Sequence, residues 1–261
     1  MKKTVKNLCV GLSLFAIAVA STACGSQKQS DSGEKKLKLV LDWTPNTNHT
    51  GLYVAMEKGY YKDAGIELDI VQPPEDGAEV LVASGKADFG ISFQDTLAGA
   101  LSKADPLPIK AVAAIAQHNT SGIMSRKGDG ITTPKGLEGK KYATWDLPIE
   151  KAIIKNVVEK DGGDFSKVEL VPSTVTDEVS ALSTKQIDAV WVYYGWAGIA
   201  ANVKNFEFDY FAFKDINPTF DYYTPVIITN DNMIKNDKDT VKKFLDATKK
   251  GYEFAAGNPK D

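Results

Sequence analysis

The chain has 261 residues, of which 43% are hydrophobic and 25% charged, with 34 acidic against 31 basic side chains. These proportions exclude a disordered chain, a collagen-like repeat and a disulfide scaffold, and a net charge of −3 with no basic block argues against nucleic acid as the main partner. The length accommodates one large domain or two lobes of roughly 100–130 residues, each able to enclose its own core.

Lys2, Lys3 and Lys6 precede an uncharged apolar run over residues 8–20. That run is too short to cross a bilayer as a helix but fits the core of a signal peptide. The next residues, Ser21-Thr22-Ala23-Cys24, resemble a bacterial lipobox, with Ser21 where an aliphatic residue is usual. They predict a signal peptide over 1–23 and lipidation of Cys24; the alternative is plain cleavage near Ala23 with Cys24 incidental. Loss of the three lysines takes the net charge from −3 to −6. Cys9 leaves with the signal, so the mature chain is expected to hold no disulfide. Residues 24–35, the lipidated Cys24 and a polar stretch, read as a flexible tether.

From residue 36, strand-like and helix-like segments alternate. Residues 37–41 predict a strand, 48–62 a helix stopped by Gly65, 66–71 a strand broken by Pro73-Pro74, and 78–83 a helix. Residues 87–92 predict a strand, 95–103 a helix, and 109–115 and 122–124 two further strands. This alternation predicts an α/β fold with a mostly parallel sheet covered on both faces. A second set begins near Gly130, with strands at 140–144, 168–171, 189–192 and 207–213 and helices at 149–160 and 177–183. Residues 84–91 and 184–191 echo each other: each is a helix end, a turn, then an aspartate opening a buried strand. A strand at 225–229 and an amphipathic helix at 237–256 follow, the latter with Val241, Phe244 and Leu245 at helical spacing. Asn258-Pro259-Lys260-Asp261 is a turn signature that as a rule leads into another element, so the natural chain is expected to continue.

In open α/β sheets, ligands lie beyond the carboxyl ends of the strands. The loop after the first strand carries Trp43, Asn46, Asn48 and His49 ahead of a helix N-terminus with free N–H groups. A structural alternative has Trp43 filling core, Asn48 capping the helix and His49 solvated. The same rule selects Gln94 after the third strand and Asn119 after the fourth. In the second set it selects Trp145 and Asp146, and the cluster Tyr193-Tyr194-Gly195-Trp196. Three rings around a glycine make a stacking wall for a flat heteroaromatic ligand, or alternatively pack between lobes. With His49 and His118 the only histidines and no EF-hand spacing, no metal site is expected. There is also no phosphate loop, nucleophile elbow or HExxH motif.

Residues 42–51, with 55–69, 84–92, 136–141 and the strand near 224–229, resemble the thiamine pyrimidine-precursor binding proteins of ABC importers, a family that includes the eukaryotic pyrimidine synthase. The segment Gly85-Lys86-Ala87-Asp88-Phe89-Gly90 is shared more widely, with binders of nitrate and sulfonates. The resemblance implies an α/β, two-lobed periplasmic-binding-protein-like (type II) fold with the ligand cleft between the lobes. Lobe one would comprise 36–125 plus 225–261 and lobe two 126–222, with crossing segments as hinges. It implies a monomeric, extracytoplasmic substrate-binding protein held to the cell membrane by Cys24 and needing no cofactor. Such a protein would hand a hydroxymethyl- or formylamino-pyrimidine to a permease and its cytoplasmic ATPase. Trp43 would stack on one ligand face and one of Tyr193, Tyr194 or Trp196 on the other, with Asn48, His49, Gln94, Asn119 and Asp146 bonding the edge. Pyrimidine binders of this family commonly carry a carboxylate shortly after the aromatic strand, where Ala197-Gly198-Ile199-Ala200 stands here; Asp146 is the candidate substitute, and riboflavin or another flat ring the alternative ligand. The synthase branch consumes the histidine matching His49 and has a cysteine cluster near the hinge strand. Residues 222–228 hold no cysteine, which disfavours an enzyme.

Overall fold

A computed structural model describes residues 33–74, 77–173 and 175–261. The signal peptide, Cys24 and most of the tether lie outside the described residues.

In chain order the first lobe contains β1 (Lys35–Val40), α1 (Thr50–Glu57), α2 (Tyr60–Asp63), β2 (Ile66–Val71), α3 (Gly77–Ala83), β3 (Phe89–Ser92), α4 (Gln94–Leu101) and β4 (Ile109–Ala114). The second contains β5 (Ser121–Arg126), β6 (Lys141–Thr144), α5 (Pro148–Lys160), β7 (Glu169–Pro172), α6 (Glu178–Ser183), β8 (Ala189–Tyr193), α7 (Ile199–Val203), β9 (Phe208–Ala212) and α8 (Phe213–Ile216). The chain returns to the first lobe through β10 (Val226–Asn230), α9 (Asp231–Asn236) and α10 (Lys238–Gly257).

The two sheets share one plan, β2-β1-β3-β10-β4 and β7-β6-β8-β5-β9. In each sheet the strand arriving from the other lobe, β10 or β5, is antiparallel to its neighbours. The reason is directional: the other strands end at the edge facing the partner lobe, so a chain crossing from there must run the opposite way. Each sheet is thus mostly parallel, as expected, with a single strand running against the rest. The expected lobe boundary at residue 125 shifts. It falls inside β5, which pairs with β8 and β9 of the second sheet, so the first crossing precedes Ser121. At the other end, β1 begins at Lys35, which the tether had been expected to include.

The repeat seen in sequence has a mechanical role. Asp88 accepts the Lys38 N–H at 2.8 Å and Asp188 the Lys141 N–H at 3.0 Å. Each carboxylate thus fixes the neighbouring strand against the one it opens. The helix expected over 48–62 is instead a 3₁₀ turn, α1 and α2, because Gly59 takes a left-handed φ of 75° that ends α1. Apolar alternation sets the cores. Leu37, Leu39, Phe89 and Ile91 face α1 and α10 on one side of the first sheet, while Val40, Ala78, Val82 and Ile228 close the other. Phe89 and Phe244 stack at 3.8 Å inside the first layer. α1 and α10 touch backbone to backbone at Gly51 and Gly251: a Cβ on Gly251 would lie 2.0 Å from the Gly51 carbonyl oxygen.

Candidate functional site

The carboxyl ends of β1, β2 and β3 and of β6, β7 and β8 present their loops to one another. Thr47 donates its hydroxyl to the Gly195 carbonyl of the other lobe at 2.8 Å, and the Phe93 and Tyr193 rings stack across at 5.4 Å. Burial, reinforced by the nearby Asp95, Tyr222 and Asp42, pushes the Tyr193 phenol well above its usual range.

The loop after β1 is organised by its own polar groups. His49, fully buried, bonds the Asp42 carboxylate through Nε2 at 2.5 Å and accepts the Asn46 N–H on Nδ1 at 3.2 Å. The Asn46 side chain accepts the Asn48 N–H and donates to the Thr44 carbonyl. His49, expected at the ligand's edge, and Asn46, another ligand candidate, are therefore committed to the turn, because a loop without strand pairing must satisfy its backbone locally. Trp43 and the Asn48 side chain are left half-buried, and among the described residues the Asn48 amide makes no hydrogen bond.

Asn119 is likewise engaged within the fold. At 1% exposure its amide donates to the Phe220 carbonyl at 2.9 Å and accepts the Ser121 N–H at 2.8 Å. With His118 on Asp221 at 2.9 Å, it binds the two crossing segments together. Gln94 does similar work through its Oε1, which accepts the Tyr223 N–H at 3.0 Å.

In the second lobe, Trp145 is 39% exposed at the end of β6 and leans on Trp191, which in turn packs on Phe213. Asp146 holds a left-handed φ of 63° and pairs with Lys151 at 2.6 Å, a strained conformation of the kind found at ligand-facing turns. Of the aromatic cluster, Tyr193 faces lobe one, and Tyr194 turns back onto Tyr210 and Phe208 of β9. Tyr194 thus leaves the wall offered by the cluster, because the strand ends at Tyr193 and the chain coils into a helical turn at Tyr194. Trp196 stays half-buried within a π-helical turn over Tyr194–Gly198.

Several residues here were not selected from the sequence. Glu150, 2% exposed, accepts Tyr142 Oη at 2.7 Å, Thr144 Oγ1 at 2.9 Å and the Trp145 N–H at 3.0 Å, and so positions Trp145. Glu79, in the first turn of α3, accepts the hydroxyl of Ser92. Glu178, in the first turn of α6, is pushed above the usual carboxylate range by burial. The rule that selected Trp43 and Gln94 reaches Glu79 and Glu178 as well once it is applied to β2 and β7. Among the described residues, the buried atoms without a partner include Trp191 Nε1, Ser121 Oγ and Thr224 Oγ1, the last two at the crossings.

Charge at this edge is one-sided. The loops after β1, β2, β3 and β4 hold no lysine or arginine among the described residues. In the second lobe Lys151, Lys204 and Lys214 are each paired, with Asp146, Asp177 and Asp215. Among the described residues no group of three or more His, Cys, Asp or Glu could hold a metal ion, and no helix is long and apolar enough to cross a membrane.

Residues 46–261 match the family model described as NMT1/THI5 like. The formylaminopyrimidine-binding protein of Halalkalibacterium halodurans is 29% identical, over 98% of this chain and 76% of its own length. The 4-amino-5-hydroxymethyl-2-methylpyrimidine phosphate synthase THI5 of Saccharomyces cerevisiae is 27% identical, over 86% of this chain and 68% of its own. Among solved structures, the periplasmic aliphatic sulphonate binding protein SsuA of Escherichia coli superposes with a TM-score of 0.65 over 86% of this chain and 75% of that one, at 13% identity. That likeness is one of fold.

Proposed function

The chain belongs to the NMT1/THI5-like family, and from that footing we propose that it is the extracytoplasmic substrate-binding component of an ABC importer. Its ligand on this reading is a small planar thiamine pyrimidine precursor of the hydroxymethyl- or formylamino-pyrimidine type. The observation that carries the reading is a facing edge that is aromatic on both lobes and lacks an unpaired cation among its described residues. Trp43 on one side and Trp145, Tyr193 and Trp196 on the other offer ring faces, while the polar groups between them are amides and carboxylates. A sulfonate or phosphate would call for cationic or clustered N–H donors, so a neutral, N–H-bearing ring suits the edge better. Closure would follow from a ligand touching both lobes at once.

The name of the matched bacterial relative agrees with this reading. The synthase alternative finds less support: a histidine consumed as substrate must be reachable, and His49 is fully buried between Asp42 and Asn46. Lipidation of Cys24 would hold the protein at the membrane beside its permease. Mass spectrometry of the N-terminal peptide from membranes tests that point, a diacylglyceryl Cys24 supporting it and an unmodified one refuting it.

The ligand is tested by tryptophan fluorescence of the mature protein titrated with hydroxymethyl- and formylamino-pyrimidines. A saturable change supports the reading; silence there with a response to riboflavin replaces the ligand. Trp43→Ala should weaken binding by at least about tenfold, as loss of an aromatic face implies, and leave folding intact. Unchanged affinity would remove Trp43 from the site.

A further inference from the structure

We propose that a cavity at the base of lobe one, on the sheet edge remote from the cleft, binds a guanidinium group. The internal repeat supplies the template. At the end of α6 the Lys185 N–H returns to the Leu182 carbonyl at 3.0 Å and the Gln186 N–H to the Ala181 carbonyl at 3.2 Å. At the end of α3 the Gly85 N–H returns to Val82 at 3.1 Å and the Lys86 N–H to Leu81 at 3.0 Å. Lys185 and Gly85 both take a left-handed φ, 59° and 71°. The register Ser125↔Ala189 sets Arg126, the last residue of β5, opposite Asp188. The register Thr229↔Phe89 sets Asn230, the last residue of β10, opposite Asp88. Arg126 and Asn230 are therefore counterparts in the two lobes.

Of the 31 lysines and arginines in the chain, Arg126 is the one arginine. Its Nη1 donates to the Leu182 and Ile187 carbonyls, both at 2.7 Å, and its Nη2 meets Asp188 at 2.6 Å and Asp129 at 2.5 Å. Two carboxylates and two carbonyls in that arrangement match a planar fork and not a point charge. In lobe one the fork is missing. Asn230 is shorter and reproduces one of the four contacts, donating Nδ2 to the Val82 carbonyl at 3.1 Å. What remains is a cavity of about 350 Å³ whose walls include Ser84, Gly85, Asp88, Pro108, Asn230 and Asp231, a volume in the range of small-molecule sites. Asp88 spends Oδ2 on the Lys38 N–H, the bond that Asp188 makes to Lys141. Among the described residues its Oδ1, the counterpart of the oxygen on Arg126, accepts no hydrogen bond, and Asp88 has no ion pair. Asp231 supplies a second carboxylate, as Asp129 does in lobe two. Its Oδ1 is buried and accepts no hydrogen bond among the described residues, with Lys110 Nζ 3.3 Å away. A guanidinium entering past exposed Ser84 and Gly85 would restore what Arg126 provides in lobe two, with one N–H edge on Asp88 and the other toward Asp231. An ammonium offers the charge without the pair of edges.

The test is NMR titration of the amide-labelled mature protein with ethylguanidinium in the millimolar range and, at equal ionic strength, with ethylammonium. Ethylguanidinium should give saturable shifts at Gly85, Asp88 and Asp231, leave the amides around Trp43 unmoved, and bind at least about threefold more tightly than ethylammonium. Asp88→Asn keeps an oxygen for the Lys38 N–H and removes the charge, so it should weaken ethylguanidinium binding roughly tenfold. Asn230→Arg should fill the cavity from within and abolish binding. Absence of saturable shifts in the wild type overturns the proposal without needing a variant. So does equal binding of the two cations, a set of shifts confined to the cleft, or an Asp88→Asn protein that binds as the wild type does. Should Asn230→Arg fail to fold, because Asn230 Oδ1 also accepts the Met233 N–H, the wild-type and Asp88→Asn titrations decide the matter. A third titration, with N-acetyl-arginine methylamide, reads the source of the group. Tighter binding than ethylguanidinium assigns the site to an arginine side chain of a partner protein, and weaker binding assigns it to a free guanidino compound.

Discussion

Phe93 and Tyr193 occupy equivalent places in the two lobes, one residue beyond β3 and at the end of β8, and their rings stack on each other 5.4 Å apart at 8°. The spacing of one hundred residues that relates Asp88 to Asp188 relates this pair too. The internal repeat thus meets itself at the hinge side of the cleft. An offset stack of this kind contributes about 0.5–1.5 kcal/mol beyond the area it buries, and here that energy favours the closed arrangement. Phe93→Ala should therefore raise the radius of gyration of the unliganded protein in small-angle X-ray scattering and lower its Tm by roughly 2–4 °C. Identical scattering curves would show that the stack does not hold the lobes.

His49 and Asp42 form a buried pair whose removal should be felt in folding before binding. With the side chains 0% and 5% exposed, His49→Ala leaves a buried carboxylate without its partner, which costs about 3–5 kcal/mol. Urea denaturation should report that loss. Ligand titration of the protein that remains folded should give a dissociation constant within about threefold of wild type, a difference of under 1 kcal/mol. A stable variant that fails to bind would return His49 to the ligand.

Much of the fold was legible because period and punctuation are local. The Asp88 and Asp188 strand openings and the long amphipathic α10 needed no tertiary information. β10 and β5 were legible as strands but not as antiparallel ones, since direction depends on which lobe the chain enters from. The site was read less well for a related reason. Trp43 and Trp145 follow from strand ends alone. Whether Asn46, His49 and Asn119 keep a polar atom for a ligand depends on how loops without strand pairing satisfy their own backbone, and that is decided by partners such as Thr44, Asp42 and Phe220. Glu79 was missed because its helix lies beyond a proline-broken loop, past which the strand-end rule was not carried; its bond to Ser92, thirteen positions on, is a tertiary contact.

The Lys35–Asp237 pair gives a pH dependence of definite sign. The Lys35 ammonium beside Asp237 holds its carboxyl below the usual range, with Thr240 assisting. A carboxylate whose pKa is lower folded than unfolded adds stability that is fully present above its unfolded value, near 3.9, and is lost as the pH falls through the folded one. Because the side chains are 50% and 26% exposed, solvent and salt screen the pair, and Asp237→Asn should lower Tm at pH 7 by only roughly 1–3 °C. The two melting curves should converge as the pH falls through the folded value, below which both proteins carry a neutral side chain there. A difference that persisted unchanged into that range would mean that Asp237 acts through something other than its charge.

Gly251 is where packing far from the cleft should reach the site. It faces α1 so closely that an added Cβ would meet the Gly51 carbonyl oxygen at 2.0 Å and Ala55 Cβ at 2.8 Å, and no flexible side-chain end is available to give way. The next residue, Tyr252, donates its hydroxyl to the Asn48 carbonyl at 2.7 Å, so the same turn of α10 braces the loop that carries Trp43 and Asn48. Gly251→Ala must push α1 away from α10. Overpacking of this kind costs about 1–3 kcal/mol, and the shift should also lengthen the Tyr252 bond and loosen the loop. Tyr252→Phe removes the bond without adding bulk and should cost about 1 kcal/mol. Denaturation measures the first effect and ligand titration the second: Gly251→Ala should lose both stability and affinity, Tyr252→Phe some of each. If Gly251→Ala lost stability while binding ligand as wild type does, α10 would hold up the lobe without setting the geometry of its binding loop.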